Sequence, residues 1–205
     1  MLEIMNEHEL FGNIDIYLFD QILKSRFGPG MKILDAGCGG GRNLIYFLRN
    51  NYEVFAADEN EEAIESVKNM ASQLAPNLPP KNFQTSKVES MPFPDGIFDV
   101  VLSNSVLHFA RDEEQFRAMV NEMWRVLRGG GIFFARTASS IGIESLIENI
   151  GGRRFLLPDG SERFLVDERF IAEVWGTFDT TWLEPLKTTN VQNLRCMTTL
   201  VLRKN

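Results

Sequence analysis

The stretch MKILDAGCGGGRN, residues 31–43, decides the fold and carries the first sign of function. Residues 31–36 form a short, mostly apolar run typical of a strand, residues 37–41 include four glycines, and residues 42–49 place apolar side chains at helical spacing. Glycine permits a positive φ in a tight turn, and without a Cβ it lets a ligand approach the backbone. The following helix would offer unpaired N–H groups to a carboxylate or phosphate. This order of elements indicates a unit that handles nucleotides.

The composition favours a globular protein with a small-molecule partner. The chain has 205 residues, 44% hydrophobic and 24% charged, which fits a single domain over residues 1–205. A net charge of -7 and a pI near 5.0 argue against a nucleic-acid surface, because such surfaces need clustered Lys and Arg. Two cysteines and two histidines are too few for a disulfide framework or a metal-ligand set, so no metal is expected.

The sequence predicts neither a membrane protein nor a secreted one. No apolar run approaches the roughly 18 to 20 residues of a membrane span. The N-terminal residues MLEIMNEHEL are acidic where a signal peptide would be basic, and they lack its continuous apolar stretch. We therefore expect a cytoplasmic protein, either a monomer or a homodimer.

Strand and helix patterns alternate through the middle of the chain. Strands are expected at residues 52–57, 83–88, 98–105 and 132–137, and helices at residues 13–27, 61–74 and 113–128. Such alternation predicts an α/β protein with a parallel sheet that is covered by helices on both faces. Residues 1–27 would form a helical cap, which either packs on the sheet or covers the ligand pocket and contributes Phe11 or Tyr17.

The last third of the chain departs from this alternation. Residues 138–166 include GGRR and PDGS, which look like turns in an insertion, and residues 167–175 are compatible with a helix. The stretches TTWLEPLKTTNV and RCMTTLVLRK are rich in Thr, Val and Leu with a polar break between them. They predict a terminal antiparallel hairpin that completes the sheet, so residues 167–205 would form the last helix and this hairpin.

The spacing of the glycines excludes one nucleotide class. A dinucleotide site requires G-x-G-x-x-G, but its third glycine falls on Arg42 in one register and on Leu44 in the other. The stretch instead matches D-x-G-x-G-x-G as Asp35, Gly37, Gly39 and Gly41.

This pattern resembles the first motif of the class I S-adenosylmethionine-dependent methyltransferases, and the resemblance continues over residues 30–137. Asp58 ends the second strand, ESMPFPDGIFDVVLSNSVLHF looks like the family's adenine-side loop and fourth strand, and LRGGG looks like the turn before its fifth strand. The resemblance implies a Rossmann-like, doubly wound, mostly parallel seven-stranded sheet with a C-terminal antiparallel hairpin. Within this family, the chain resembles the small-molecule enzymes of the methyltransferase-11-like and tellurite-resistance-like branches.

The resemblance also implies the cofactor, S-adenosyl-L-methionine, the product, S-adenosyl-L-homocysteine, and the residues that bind them. Asp58 would bind the ribose hydroxyls, with Glu59 beside it, and Asp35 would act on the ammonium group. The full set of expected cofactor residues is Asp35, Gly37, Cys38, Gly39, Asn43, Asp58, Glu59, Val88, Glu89, Ser103 and Asn104. Lys87 departs from the family pattern, because lysine cannot accept the adenine amino group's hydrogen bond. Either Glu89 replaces the usual acid, or the adenine is held by the backbone of Val88 and by apolar contacts.

The methyl acceptor is less readable than the cofactor. His108 follows the fourth strand, where it would be either a catalytic base or a structural histidine. Tyr17 of the N-terminal cap is a candidate substrate residue. Arg136 and Arg154 are further candidates, because guanidinium groups suit a carboxylate or oxyanion. Arg153 and Arg163 lie in the same insertion, and a solvated face is the alternative for all these arginines. Cys38 would gain a low pKa from the adjacent helix, but it is not proposed as a nucleophile.

Three functions are compatible with these features. A methyltransferase that acts on a small molecule by in-line transfer is the favoured one. The alternative is a sensor or scaffold that binds the cofactor without transfer. A protein or nucleic-acid methyltransferase would require a basic groove or a recognition domain, and the sequence predicts neither.

Overall fold

The computed structural model describes residues 6–205, apart from the side chain of His8. Residues 1–5 of the predicted N-terminal cap lie outside the described residues. Over the described range, eight strands join in one mixed sheet. No helix in that range combines the length and the apolar character that a bilayer span requires.

Parallel strands form the part of the sheet that carries the glycine loop. They are β1 Lys32–Ala36, β2 Glu53–Asp58, β3 Phe83–Thr85, β4 Phe98–Asn104 and β5 Leu127–Ser139. Their order across the sheet is β3, β2, β1, β4 and β5. The chain changes direction across the sheet between β1 and β4. Open α/β sheets bind ligands at the carboxyl ends of the strands beside such a point.

Antiparallel strands complete the sheet as the hairpin prediction required. They are β9 Thr180–Trp182, β10 Lys187–Val191 and β11 Arg195–Lys204. β11 pairs antiparallel with β5, and β10 pairs antiparallel with β11. The predicted outer strand differs in one respect, because it is broken into β9 and β10, which pair with opposite ends of β11. The hairpin turn has positive φ at Gln192 (53°) and Asn193 (58°). The mostly parallel sheet with a C-terminal hairpin is confirmed.

Helices cover both faces of the sheet, as predicted. They are α1 Glu7–Phe11, α2 Ile16–Leu23, α3 Ile45–Arg49, α4 Glu61–Leu74, α5 Glu113–Val126 and α6 Glu168–Trp175. One core cluster includes apolar side chains of α5 and α6, and a second includes those of α2, α3 and α4. Alternate residues of β1 serve the two clusters: Leu34 belongs to the first and Ile33 to the second.

Several local predictions differ from the structure in extent. The helix predicted over residues 13–27 is the shorter α2, the strand predicted over residues 83–88 ends at Thr85, and LRGGG, expected as the turn before the fifth strand, lies within β5. The helix after the glycine loop was predicted from Arg42, but α3 begins only at Ile45, because Gly41 and Leu44 bond back within the loop. The insertion at residues 138–166 is more regular than predicted. It forms a separate three-stranded antiparallel sheet of β6 Glu148–Gly151, β7 Arg154–Leu156 and β8 Glu162–Phe164.

We expect Gly37→Ala to destabilise the fold more than Gly30→Ala. Both glycines have positive φ, 81° and 77°, so both variants strain the backbone by about 1 to 2 kcal/mol. A Cβ at Gly37 would lie 2.5 Å from a Val106 methyl, whereas one at Gly30 meets nothing within 4 Å. Overpacking adds about 1 to 3 kcal/mol at Gly37 alone. Urea unfolding measures both variants, and equal losses would contradict the expected clash.

Candidate functional site

The glycine loop, residues 37–43, is held by the carboxyl end of β2. The N–H groups of Gly37 and Cys38 both donate to the carbonyl of Ala57, at 2.8 and 3.1 Å. The N–H of Gly39 donates to Oδ2 of Asp58 at 2.8 Å. The other carboxylate oxygen of Asp58 accepts the N–H of Asn60 at 2.9 Å. Asp58 therefore fixes both the glycine loop and the start of α4.

A cavity of about 560 Å³ lies over this loop, within the range of small-molecule sites. Its walls include most of the expected cofactor residues: Gly37, Cys38, Gly39, Asn43, Asp58, Glu59, Val88, Glu89 and Asn104. A Cβ built on Gly39 or Gly40 would meet nothing within 4 Å, so the backbone there borders open space. The structure brings these residues together at the carboxyl edge of the sheet.

Asp35 and Ser103 do not line this cavity, although both are buried close to the glycine loop. Among the described residues, Oδ2 of Asp35 and Oγ of Ser103 have no hydrogen-bond partner. Burial raises the pKa of the Asp35 carboxyl to about 7, with nearby Arg42 acting in the opposite direction. A buried carboxylate with an unused oxygen suits a cationic group of a ligand.

Asn104 connects the loop to the end of β4. Its Oδ1 accepts hydrogen bonds from Arg42 Nη2 at 3.1 Å and Ser105 Oγ at 3.0 Å. Its Nδ2 is buried and has no partner within the described residues. Because Asn104 borders the cavity, this amide is a free donor for a ligand.

The far wall of the cavity carries Lys87, Val88 and Glu89 together with Gln115 of α5. Glu89 Oε1 accepts a hydrogen bond from Gln115 Nε2 at 3.0 Å. Gln115 was not predicted, since its contact with the site depends on how α5 packs. Lys87 lines the same wall, so the departure noted in the sequence lies within the site.

The structure does not support the expectation that the adjacent helix lowers the pKa of the Cys38 thiol. Burial raises the pKa of its thiol, and the nearby carboxyls of Asp35 and Asp58 act in the same direction. The helix that would have lowered the pKa begins later than predicted, at Ile45. Cys38 contributes its backbone to the cavity.

A second cavity, of about 340 Å³, adjoins the first. It is lined by Asp15, Arg42, Ser105, His108, Arg136, Ala138, Leu157, Asp159, Ser161, Arg163, Val191, Arg195 and Met197. Arg42 and Ser105 belong to both cavities and form their shared wall. The insertion provides several of the lining residues, and the N-terminal segment provides Asp15.

His108 lines the second cavity and is buried. Its Nδ1 accepts the N–H of Ala138 at 3.3 Å. Burial, together with the charges of Arg163, Arg195 and Arg136, lowers the pKa of the imidazole to about 4. The ring is therefore neutral at pH 7, and with Nδ1 accepting, its proton lies on Nε2.

Arg136 lies between the second cavity and the N-terminal segment. Its guanidinium pairs with Asp15 at 3.3 Å and lies 5.1 Å from the centre of the Tyr17 ring. Asp15 also caps α2, and its N–H donates to Asn43 Oδ1 at 3.0 Å. The Tyr17 hydroxyl bonds to Thr189, and the ring lies behind Arg136 rather than in the cavity wall.

The predicted substrate role of Arg154 is not supported. Arg154 donates to the Ala110 carbonyl and pairs with Glu162, outside both cavities. Arg153 pairs with Asp167 and lies over Phe170. Because neighbouring positions on a short strand face opposite sides of the sheet, only some of the arginines in the insertion can face the second cavity. Arg163 lines that cavity, whereas Arg153 and Arg154 do not.

Arg195 also lines the second cavity and was missed. The predicted hairpin could have indicated Arg195. A strand that runs antiparallel to β5 starts at the carboxyl end of β5, and Arg195 is the first residue of β11.

We expect Asp35 to make stability depend on pH. Its pKa is about 7 in the folded protein against an ordinary 3.8, so the folded state keeps a proton that the unfolded state loses. The stabilisation is complete below about pH 4 and falls as the pH rises through about 7. Asp35→Asn should remove this decline, which amounts to roughly 2 to 3 kcal/mol between pH 5 and pH 8. Urea unfolding at both pH values measures it, with exposed Asp95→Asn as the control. A wild-type decline that Asp35→Asn leaves unchanged would contradict the assignment.

Comparisons with known proteins agree with this geometry. The sequence model of the methyltransferase domain family matches residues 34–135, about half of the chain. An uncharacterised methyltransferase of Synechocystis is 31% identical over 105 residues, 51% of this chain and 46% of the relative. The ubiquinone biosynthesis O-methyltransferase of Mesorhizobium japonicum is 31% identical over 160 residues, 72% of this chain and 61% of the relative. The chain thus spans about half to three fifths of these relatives' length.

A solved structure shares the fold. The 1,6-didemethyltoxoflavin-N1-methyltransferase of Burkholderia thailandensis, crystallised with 1,6-didemethyltoxoflavin and S-adenosylhomocysteine, superposes with a TM-score of 0.68 at 20% identity. The match covers 90% of this chain and 75% of that one. Together with the glycine loop and Asp58, these matches show that the chain belongs to the class I S-adenosylmethionine-dependent methyltransferases.

Proposed function

We propose that this protein transfers a methyl group from S-adenosylmethionine to a small-molecule acceptor. The observation that carries the proposal is the pair of adjoining cavities, which share Arg42 and Ser105 at the carboxyl edge of the sheet. One cavity has the glycine loop and Asp58, and the other is bounded by the insertion and the N-terminal segment. Two ligands in these cavities would meet at the shared wall.

The residues around the first cavity fit the cofactor. Asp58 would accept hydrogen bonds from the ribose hydroxyls, since a carboxylate has more acceptor sites than its two backbone bonds use. Glu59 lies beside Asp58 on the wall. Asp35 is buried outside the cavity wall, so its unused Oδ2 would act on the ammonium group through water. The unpartnered Nδ2 of Asn104 suits a ligand acceptor. The backbone of residues 37–39, with Asn43, Val88 and Glu89, would complete the wall, and Ser103 is buried outside it.

The bound cofactor would supply a methyl carbon on a sulfonium: the acceptor's lone pair would form a bond to that carbon as the carbon–sulfur bond breaks, and the broken bond's electron pair would stay on sulfur to give S-adenosylhomocysteine. The protein has to hold the acceptor's lone pair in line with that carbon and exclude water. The insertion and Asp15 would do this, because they line the second cavity.

We propose that His108 positions the acceptor as a hydrogen-bond donor. Its Nδ1 is occupied by the Ala138 N–H, and a pKa of about 4 makes the ring a weak base at neutral pH. The Nε2–H would donate to an acceptor oxygen or nitrogen. A nucleophile that needs no strong base, such as a thiolate, an amine or an oxyanion, is favoured by this arrangement.

We expect Asp58→Ala to weaken binding of S-adenosylhomocysteine by at least about tenfold, because two charge-assisted hydrogen bonds to the ribose are lost. Titration calorimetry measures the affinity. Asp58→Asn keeps one acceptor oxygen for the Gly39 N–H, so it separates loop positioning from ribose binding. Asp95→Ala, an exposed carboxylate paired with Arg125, is the matched control. Undiminished affinity in Asp58→Ala would disprove the assignment.

Transfer itself can be tested with methyl-labelled cofactor and a panel of thiol, amine, carboxylate and metalloid acceptors. We expect label to appear in at least one small acceptor, and Asp58→Ala to reduce it at subsaturating cofactor. Tight cofactor binding without transfer to any acceptor would favour the sensor function. Label in protein or nucleic acid would favour a macromolecular substrate.

A further inference from the structure

The second cavity is positively charged in a protein whose net charge is -7. Four arginines line the described walls of this cavity, and two aspartates face them. Each aspartate has an arginine partner: Asp15 pairs with Arg136 at 3.3 Å, and Asp159 pairs with Arg195 at 3.8 Å. Positive charge is therefore left over at this site.

The excess charge lies on Arg42 and Arg163. Within the described residues neither has an ion pair to a carboxylate. Arg42 donates to Asn104 Oδ1 at 3.1 Å, and Arg163 donates to the Glu162 carbonyl at 2.7 Å. The guanidinium of Arg163 also lies 5.0 Å from the centre of the Phe109 ring, which holds it at the cavity. These contacts are to neutral groups. Of the carboxylates that interact with the two arginines at longer range, Asp35 lies outside the cavity wall and Asp159 is already paired with Arg195, so the wall keeps an excess of positive charge.

Arg136 adds a buried donor without a partner. Its side chain is 15% exposed, and its Nε has no hydrogen-bond partner in the described part of the chain. An unsatisfied buried guanidinium nitrogen is costly, and an anionic ligand would satisfy it. Burial is the main cause of the lowered pKa of His108, and the charges of Arg163, Arg195 and Arg136 act in the same direction.

The apolar part of the cavity wall favours an organic anion over an inorganic one. Leu157, Val191, Met197 and Ala138 provide apolar surface between the charged groups. At about 340 Å³ the cavity is at the small end of ligand sites. Guanidinium groups bind carboxylates through paired N–H donors, and the apolar walls suit a short hydrocarbon or ring.

We propose that the second cavity binds a small organic carboxylate, and that this carboxylate is the methyl acceptor or anchors it. The arginines would hold the anionic group, and the accepting atom would lie toward Arg42 and Ser105. The binding site stands on its own geometry, whereas its use as the acceptor site rests on the proposed function.

The test is a titration of the full-length protein, saturated with S-adenosylhomocysteine, with sodium benzoate and separately with its neutral analogue benzamide. Salicylate and salicylamide form a second matched pair. NMR signals of the His108 ring and the Arg136 Nε–H report occupancy of the cavity. We expect saturable shifts with the carboxylates and affinity at least about tenfold lower for the amides, which lack the charge.

Variants locate the binding. Arg163→Gln should weaken benzoate by about tenfold, and Arg195→Gln, which removes a more exposed side chain, provides a second variant if the first fails to fold. Arg154→Gln on the same small sheet is the control and should leave affinity within about twofold. Absence of saturable shifts, equal affinity for benzoate and benzamide, or affinity unchanged in the folded Arg163 and Arg195 variants would overturn the proposal. Calorimetry with S-adenosylhomocysteine separates failure of this proposal from failure of the proposed function. Absence of S-adenosylhomocysteine binding would count against the proposed function, whereas normal binding without benzoate binding would count against the carboxylate site alone.

Discussion

The bonds between the end of β2 and the glycine loop are the constraint on which the site depends. Ala57 accepts two successive loop N–H groups, and the Asp58 carboxylate accepts the next at 2.8 Å. The loop needs glycine at Gly37 because its φ is 81° and because Val106 occupies the space a Cβ would take. Loop, strand end and the start of α4 therefore form a preformed surface. Preformed sites bind without a large ordering cost.

The two cavities differ in their balance of charge. Three carboxylates, Asp58, Glu59 and Glu89, and two cations, Arg42 and Lys87, line the first, so the acids are in slight excess there, which suits a donor that carries positive charge. Arginines dominate the second, which suits an anionic acceptor. Arg42 and Ser105 stand between them, and Arg42 also moderates the raised pKa of Asp35. A cationic donor and an anionic acceptor would be brought together by charge as well as by shape.

Features with a local physical cause were predictable from the sequence. Positive φ at Gly37 follows from the glycine-rich pattern itself. The cofactor residues were expected from the family resemblance, and the structure places nine of the eleven around the first cavity, whereas Asp35 and Ser103 do not line it. The start of α3 was not predictable from apolar spacing, because hydrogen bonds within the loop delay it to Ile45. The second cavity depends on tertiary packing. Three-residue strands give too little pattern to tell Arg163, which lines the cavity, from Arg154, which does not.

The central claim is that donor and acceptor meet at the wall formed by Arg42 and Ser105. A crystal structure with S-adenosylhomocysteine tests it most directly. We expect the ribose on Asp58 and the sulfur directed at the shared wall, with an open path to His108. A sulfur atom that points away from the second cavity, or a ligand bound away from the glycine loop, would contradict the proposed arrangement.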